Sequence, residues 1–484
     1  MVGSKSTIIS YNSLVEKIRK KDGNRFLIEG APWKGILRFA IPVFIGLLLQ
    51  QLYNTADTII VGNFESEDAM SAVGATAVLT MAFLAFANGF SAGAGVIIAQ
   101  LFGADKKEEL RKNACTSLIL LLVMGAICTG IALAINRLML QYVLKTPADL
   151  LEMAVEYFKV YALGLIFQFG YNIVAAILRG VGDSNATMYF LLVAAIINVG
   201  LDIVFVAVLR LGVLGAALAT DISQAGCCIA AVIYMVARYP IFRWKLKEIT
   251  FKWRLAWNAL KMGFPMALQQ FIVAIGFVFL QRAVNGYGKF MTASFTVAMR
   301  VETYIQLPAS SLQVTQATYT GQNLGADKIE RVSKGAKQTF IMSELITLVL
   351  SVAVLIFAKQ LALLFNLSEE AADYCITHIR TTAILLPLLA AYFPILGLFQ
   401  GADNGFKATI VATMALLTRV VTTYTLCYLP FMDYRIIWWN TAFGWGVGCT
   451  ITWCFYFHGG WKKKWLKKPT IEIDEEIQGG ADNV

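Results

Sequence analysis

The chain is short of charge. Of its 484 residues only 15% are Asp, Glu, Lys or Arg, while 58% are hydrophobic, and the mean hydropathy is +0.64. Soluble domains carry about 25% charged residues, so this chain has too few to cover a water-facing surface, which excludes a soluble multidomain enzyme. Histidine is nearly missing. His378 and His458 are the only two, and both fall at the ends of apolar blocks, where an interfacial position is expected. The eight cysteines show no CxxC spacing and read as small buried hydrophobes, not as a metal or disulfide framework. There is no glycine-rich phosphate loop and no soluble stretch long enough for a nucleotide-binding domain, so ATP is not the expected energy source. No span carries paired histidines or a nucleophile elbow, so neither an enzyme activity nor an organic cofactor is expected. Residues 1–35 lack an apolar core, so no cleavable signal peptide is expected.

Apolar blocks are what the chain has in abundance. A bilayer-spanning helix needs roughly 20 apolar residues, and about twelve such blocks occur, near 36–62, 70–101, 114–136, 153–178, 186–209, 212–236, 258–283, 292–320, 338–358, 377–400, 407–430 and 436–457. The expected fold is an all-α polytopic membrane protein. Its net charge of +10 is distributed unevenly. The amino tail (Lys17, Arg19, Lys20, Lys21, Arg25), the 103–113 loop, the 238–261 connector, the 325–337 loop, the 462–468 tail and the turns at Arg179 and Lys407 all fall on one side. That side holds about thirty of the 41 basic residues. Excess Lys and Arg marks cytoplasmic loops, so both termini are expected inside the cell membrane and the number of spans is even. The stretch Trp461 to Lys468 reads as an anchor on anionic headgroups, and no nucleic-acid partner is expected.

The chain also repeats itself. Residues 95–106 read GVIIAQLFGADK, and 317–328 read ATYTGQNLGADK. Gln100, Gly103, Ala104, Asp105 and Lys106 thus recur as Gln322, Gly325, Ala326, Asp327 and Lys328. Pro42 near the start of the first span matches Pro265 near the start of the seventh. Leu178-Arg179-Gly180 matches Phe399-Gln400-Gly401. Six spans per half give the halves the same orientation, a parallel repeat about an axis along the membrane normal. The expected layout is a tail at 1–35, an N-lobe at 36–237, a linker at 238–257, a C-lobe at 258–457 and a tail at 458–484. Two such bundles around a midplane cavity are the architecture of alternating-access transporters. Small residues such as Gly89, Ser91, Gly93 and Gly95 allow close helix approach. Pro42, Pro265, Pro308, Pro387 and Pro394 are positions where spans can bend.

A charge near the bilayer centre is costly and has a partner or a task. Asp57 lies in the first span, after Gln50, Tyr53 and Asn54. Asp202 lies in the fifth, four residues after Asn198 and so on the same helix face. Asn172 interrupts the fourth span, and Asp221 follows Thr220 in the sixth, nearer the outer surface. Two carboxylates among amides and hydroxyls can take up a proton or hold a hard cation such as Na⁺ through oxygen ligands; the alternative is helix-to-helix hydrogen bonding. In the second half, Arg300 and Glu302 lie in the eighth span and Arg419 in the eleventh. An Arg–Glu pair between spans would leave one spare positive charge, with substrate contact as the other role.

The chain resembles the multidrug and toxic compound extrusion (MATE) transporters over roughly residues 30–460. The resemblance rests on Pro42 followed by Asp57-Thr58-Ile59 and Gly62, Gln100-Leu101-Phe102-Gly103-Ala104, Arg179-Gly180-Val181-Gly182-Asp183, Gly215 to Thr220 with Ser223-Gln224, and Gly321-Gln322-Asn323-Leu324-Gly325-Ala326. It implies a twelve-helix, two-lobed exporter driven by a proton or sodium gradient. The DinF-like bacterial branch has an amino-lobe coupling site, and the matching positions are Tyr53, Asp57, Asn172, Asn198, Asp202 and Thr220. Another branch places a cation site in the carboxy lobe, in helices 7 and 10. This chain departs from that pattern, because Gln269–Val273 and Leu385–Leu389 carry no carboxylate. The implied activity is antiport of amphipathic organic cations against H⁺ or Na⁺, with Gln50, Tyr53, Asp57, Arg300, Glu302 and Arg419 as candidate substrate contacts, in a chain able to work as a monomer. The rival reading is a flippase of lipid-linked oligosaccharide or another amphipathic lipid, for which Arg300 and Arg419 speak.

Overall fold

The computed structural model describes residues 25–466 apart from 66, 145, 364, 366, 428 and 430–432. The tail charges Lys17, Arg19, Lys20, Lys21, Lys467 and Lys468, and the side chains of Lys463 and Lys464, lie outside the described residues. The described chain is helical nearly throughout. In order come α1 (Pro32–Phe64), α2 (Glu67–Gly103), α3 (Lys107–Leu138), α4 (Ala148–Leu163), α5 (Leu165–Gly180), α6 (Ser184–Asp202), α7 (Gly212–Arg238), α8 (Trp253–Asn285), α9 (Lys289–Gly325), α10 (Ile329–Leu363), α11 (Glu369–Gly401), α12 (Gly405–Leu426), α13 (Ile436–Phe457) and the short α14 (Gly460–Leu466). A lipid interior leaves no water to satisfy backbone groups, so helices are the expected solution.

Their outer faces are apolar. Ile196, Ile233, Val349 and Ile356 are 65%, 62%, 70% and 63% exposed, a surface suited to acyl chains and not to water. Among the described residues nine helices are long and apolar enough to cross a membrane, and ten with the bent pair α4–α5 counted as one. Adding α9 and α13 gives the twelve expected spans. α9 buries the polar groups Glu302, Gln316, Gln322 and Asn323, and α13, rich in Trp and Gly, buries Asn440 and Thr441.

α1, α8, α9 and α11 run through Pro42, Pro265, Pro308, Pro387 and Pro394 as continuous helices. The break is instead at Gly164, where α4 and α5 meet at 43°. A Cβ at 164 would collide with the carboxylate of Asp221. That places Asp221 against the middle of the fourth span, further from the outer rim than expected. Two π-helical turns, Met139–Val143 and Ile203–Val208, end the third and fifth spans.

The halves meet along a seam that the repeat explains. α2 packs on α8 at Gly89 against Ala267 and at Gly93 against Gly263, where a Cβ would strike backbone. Nearer the basic loops, Gly103 abuts the carbonyl of Gln322 and Gly325 abuts that of Gln100. Gln100 Nε2 donates to Gly401 O at 3.1 Å, and Gln322 Nε2 donates to Gly180 O at 2.9 Å. Each bond is the repeat-equivalent of the other. The GADK loops beyond the seam turn through Asp105 and Asp327, at φ 58° and 56°, a left-handed region that Asp tolerates.

Removing both donors tests the seam. Gln100→Leu with Gln322→Leu strips the side-chain donors from two buried carbonyls, at about 1–3 kcal/mol each. Spin labels on Lys107 and Lys328 are then expected to show a second, longer-distance population in the double variant; an unchanged distribution would contradict this role.

Candidate functional site: a cavity between the lobes

Between the lobes lies a cavity of about 690 Å³, within the ~300–1,000 Å³ range of small-molecule sites. α1, α2, α4, α5, α6 and α7 line it from the first half, and α8, α9 and Gln400 from the second. Its walls are mixed: Leu47, Met81, Leu84 and Met266 beside Gln50, Asn88, Asn172, Tyr157 and Tyr304. Only three lining residues are charged: Asp57, Arg179 and Arg300.

Of the expected coupling residues, Tyr53, Asp57, Asn172 and Thr220 line this cavity. Asn198 and Asp202 lie behind it, 2% and 0% exposed. Helical spacing explains the grouping, because Tyr53 and Asp57 in α1, Asn198 and Asp202 in α6, and Thr220 and Gln224 in α7 are each four residues apart and share a face. Thr220 Oγ1 donates to Asp57 Oδ2 at 3.4 Å and also to Ala216 O at 3.1 Å. Gln224 Nε2 donates to Tyr53 Oη at 3.3 Å. Asp57 faces Asp202 and Asn198. Here, among the described residues, Asp57 Oδ1, both oxygens of Asp202, and both Oδ1 and Nδ2 of Asn198 are buried without a hydrogen bond. Asn172 turns aside, its Nδ2 donating to Gln168 O in its own helix at 2.9 Å.

Such a cluster is suited to take up a proton or a cation. Buried carboxylates without a counter-charge are expensive, and two of them facing each other have no hydrogen to share unless one is protonated. No group of three or more His, Cys, Asp or Glu converges on a metal-binding arrangement among the described residues. A cation held here would take two carboxylates and complete its shell from amide and hydroxyl oxygens, chemistry that suits Na⁺.

The second half divides its charges differently from the substrate-contact expectation. Gln50, Tyr53, Asp57 and Arg300 line the cavity, but Glu302 and Arg419 are not among its lining residues. Arg419 Nη1 lies 4.0 Å from Glu302 Oε1. Its Nε donates to Asn440 Oδ1 at 2.9 Å and its Nη2 to Thr441 Oγ1 at 3.0 Å. Gln306 Nε2 donates to Glu302 at 2.7 Å. This is the expected interhelical Arg–Glu pair, and Arg300 makes no ion pair among the described residues. His378 is not interfacial. It is fully buried and stacked between Phe295 and Trp438, with ring centroids at 5.6 and 4.8 Å. Cys115, Cys227, Cys228 and Cys375 are buried, whereas Cys454 is exposed on α13.

Arg179, read from the sequence as a charge in a basic-side turn, lines the cavity instead. Tyr157, Tyr161, Gln168 and Gln224 also line it and went unmarked. Four-residue spacing of polar and aromatic groups within spans, as in Tyr157–Tyr161 and Gln168–Asn172, was the available signal.

Two pseudo-symmetric helical lobes, closed on the basic-loop side around a central cavity with orphaned carboxylates, define a multipass membrane transporter of the alternating-access class. The chain belongs to the MatE family, whose model matches twice, at residues 42–204 and again at 265–425, once in each half of the repeat. It is 26% identical over 443 residues to the probable multidrug resistance protein YpnP of Bacillus subtilis, covering 90% of this chain and 97% of that one. It is 24% identical over 395 residues to the multidrug export protein MepA of Staphylococcus saprophyticus, covering 81% and 87%. Among solved structures, one described as the outward-facing conformation of a multidrug resistance MATE family transporter of the MOP superfamily superposes with a TM-score of 0.86 at 28% identity, covering 91% of this chain and 99% of the other. A MOP superfamily transporter from Pyrococcus furiosus, described as having a binding pocket of reverse polarity, gives 0.85 at 27% identity, covering 92% and 99%.

The buried pair in the second half yields a stability prediction. Arg419→Leu leaves Glu302 buried and uncompensated and is expected to cost about 3–5 kcal/mol, whereas adding Glu302→Leu restores much of that loss. Thermal unfolding of the purified variants in detergent measures both; equal melting of Arg419→Leu and the parent would refute the pairing.

Proposed function

We propose that this protein exports amphipathic, drug-like organic compounds, organic cations among them, across the cell membrane by antiport with H⁺ or Na⁺. In this reading both termini are cytoplasmic and a single chain suffices. The lobes at 36–237 and 258–457 rock about the seam while the 238–257 linker spans them on the cytoplasmic side. The coupling site is the amino-lobe cluster of the DinF-like branch: Tyr53, Asp57, Asn172, Asn198, Asp202 and Thr220.

The observation that carries the proposal is the placement of Asp57. It lines the substrate-sized cavity and borders buried oxygens that have no hydrogen-bond donor. One carboxylate therefore serves two cations, that of the substrate and the coupling ion. With the cavity open outward, H⁺ or Na⁺ entering the Asp57–Asp202 cluster removes the counter-charge and releases the substrate. With it open inward, loss of the ion restores the charge and allows loading. Only a difference in affinity between the two states can drive this exchange, and competition at one carboxylate supplies it.

Asp57→Asn with Asp202→Asn is expected to abolish ion-driven efflux of a fluorescent organic cation from proteoliposomes, by at least about 100-fold, while membrane insertion is retained. Full transport by the double variant would overturn the assignment. Scrambling of labelled lipid in the same vesicles, at the rate of efflux, would support the flippase reading instead.

A further inference from the structure

The basic-loop side of the molecule is closed by more than the seam. Residues 25–31, which lead into α1, lie against the turn between α9 and α10. Four consecutive carbonyls of this segment accept from side chains of the second half. Asn323 Nδ2 donates to Leu27 O at 3.1 Å, and Lys328 Nζ donates to Ile28 O at 3.2 Å. Arg331 donates to Leu27 O, Glu29 O and Gly30 O at 3.3, 2.9 and 2.7 Å. Leu27 is buried in a cluster with Phe39 of α1 and with Leu312 and Tyr319 of α9. At the other end, Arg25 Nη1 lies 3.8 Å from Asp105 Oδ1 in the first GADK loop. The segment is a strap that ties α1 and the first GADK loop to the second half.

The repeat supplies a second strap. Pro42 and Pro265 are 223 residues apart, which carries residues 25–31 onto 248–254, where the linker leads into α8. The linker is fastened to α3, the first half's counterpart of α10. Arg111 pairs with Glu248 and donates to Arg243 O at 3.2 Å. Trp244 Nε1 donates to Arg111 O at 3.3 Å, and Thr116 Oγ1 donates to Thr250 O at 3.5 Å. Each half thus enters its first span along the third span of the other. The two straps are held differently. Lys106 pairs with Glu109 at 3.0 Å, but the repeat-equivalent residues are Lys328 and Arg331, two cations. Like charges one turn apart repel, and these two spend their donors on the strap's carbonyls. The linker strap joins α7 to α8 and stays with both halves, whereas the first strap leads only into α1 among the described residues.

We infer that residues 25–31 are a latch, which holds the basic-loop side shut and leaves α10 when that side opens. α1 and α10 belong to opposite halves, so parting the halves there pulls the strap from one of them. Its hold on α10 is by hydrogen bonds alone, whereas α1 holds it covalently, so the α10 contacts are the ones that break. The linker strap stays in place as the hinge. The latch goes beyond the antiport reading, because it requires only that the halves alternate, whatever the ion or cargo.

Spin-label distances in the full-length protein in lipid nanodiscs test this. One pair, at Glu29 and Lys334, reads the strap against α10. The other, at Lys107 and Lys334, reads one half against the other; all three side chains are exposed. Lys328→Gln with Arg331→Gln is expected to lengthen the strap distance. It is also expected to raise the long-distance population between the halves about tenfold, the worth of one charged hydrogen bond. Arg331→Gln alone, with Lys328 and Asn323 still in place, is expected to give a smaller change of the same sign, and Arg331→Lys a smaller one again. Arg111→Gln loosens only the linker strap and is expected to leave the Glu29–Lys334 distance as in the parent. A released strap with the halves unmoved, halves that part while the strap stays on α10, or no change in either distance would each overturn the latch. Ion-driven efflux is scored separately. Its absence beside the expected distances would sink the antiport reading and leave the latch standing; its presence with unmoved distances would do the reverse.

Discussion

Two glutamine side chains crossing the lobe interface in opposite directions set the shape of everything above them. Gln100 reaches Gly401 and Gln322 reaches Gly180, each donating to a buried carbonyl at the end of a helix of the other half. The bonds form only because Gly103 and Gly325 let each glutamine's backbone come into contact. A seam made of two equivalent halves closes one side of the molecule without a soluble domain or an added subunit. The cavity, with Asp57 in one wall and Arg300 in the other, is what remains open beyond it.

The same low-dielectric surroundings explain why the two halves use their charges differently. In the second half, Glu302, Arg419, Asn440 and Gln306 are linked to one another, and only Glu302 Oε2 of that network is unpartnered among the described residues, so it ties helices together. In the first half, Asp57 Oδ2 accepts from Thr220, but among the described residues Asp57 Oδ1, both Asp202 oxygens and both polar atoms of Asn198 are buried without a hydrogen bond, a costly arrangement. The duplication supplied two similar bundles that distribute their polar partners differently, and under the proposed function the first is the coupling site.

Much of the fold was legible in the sequence. Blocks of apolar residues set the twelve helices, the GADK repeat related the halves, helical spacing put Asn198 with Asp202, and the family resemblance put Tyr53 with Asp57. What stayed hidden depends on contacts between distant segments. Proline marks a possible bend wherever it occurs, but the break at Gly164 follows from the Asp221 side chain lodged against it. Arg179 ends an apolar block and so looked like a basic-side charge, and only packing turned it toward the cavity. His378 was hidden for the same reason: the block it seems to end continues as α11, and the rings that enclose it come from α9 and α13.

The central claim is that coupling ion and substrate compete at Asp57. The most direct measurement is the affinity of the purified protein for an amphipathic organic cation as pH and Na⁺ concentration are varied independently. Affinity is predicted to fall as one of the two ions is raised, and the dependence is predicted to vanish in Asp57→Asn. An affinity indifferent to both ions, or an ion dependence that survives the loss of Asp57, would contradict the account.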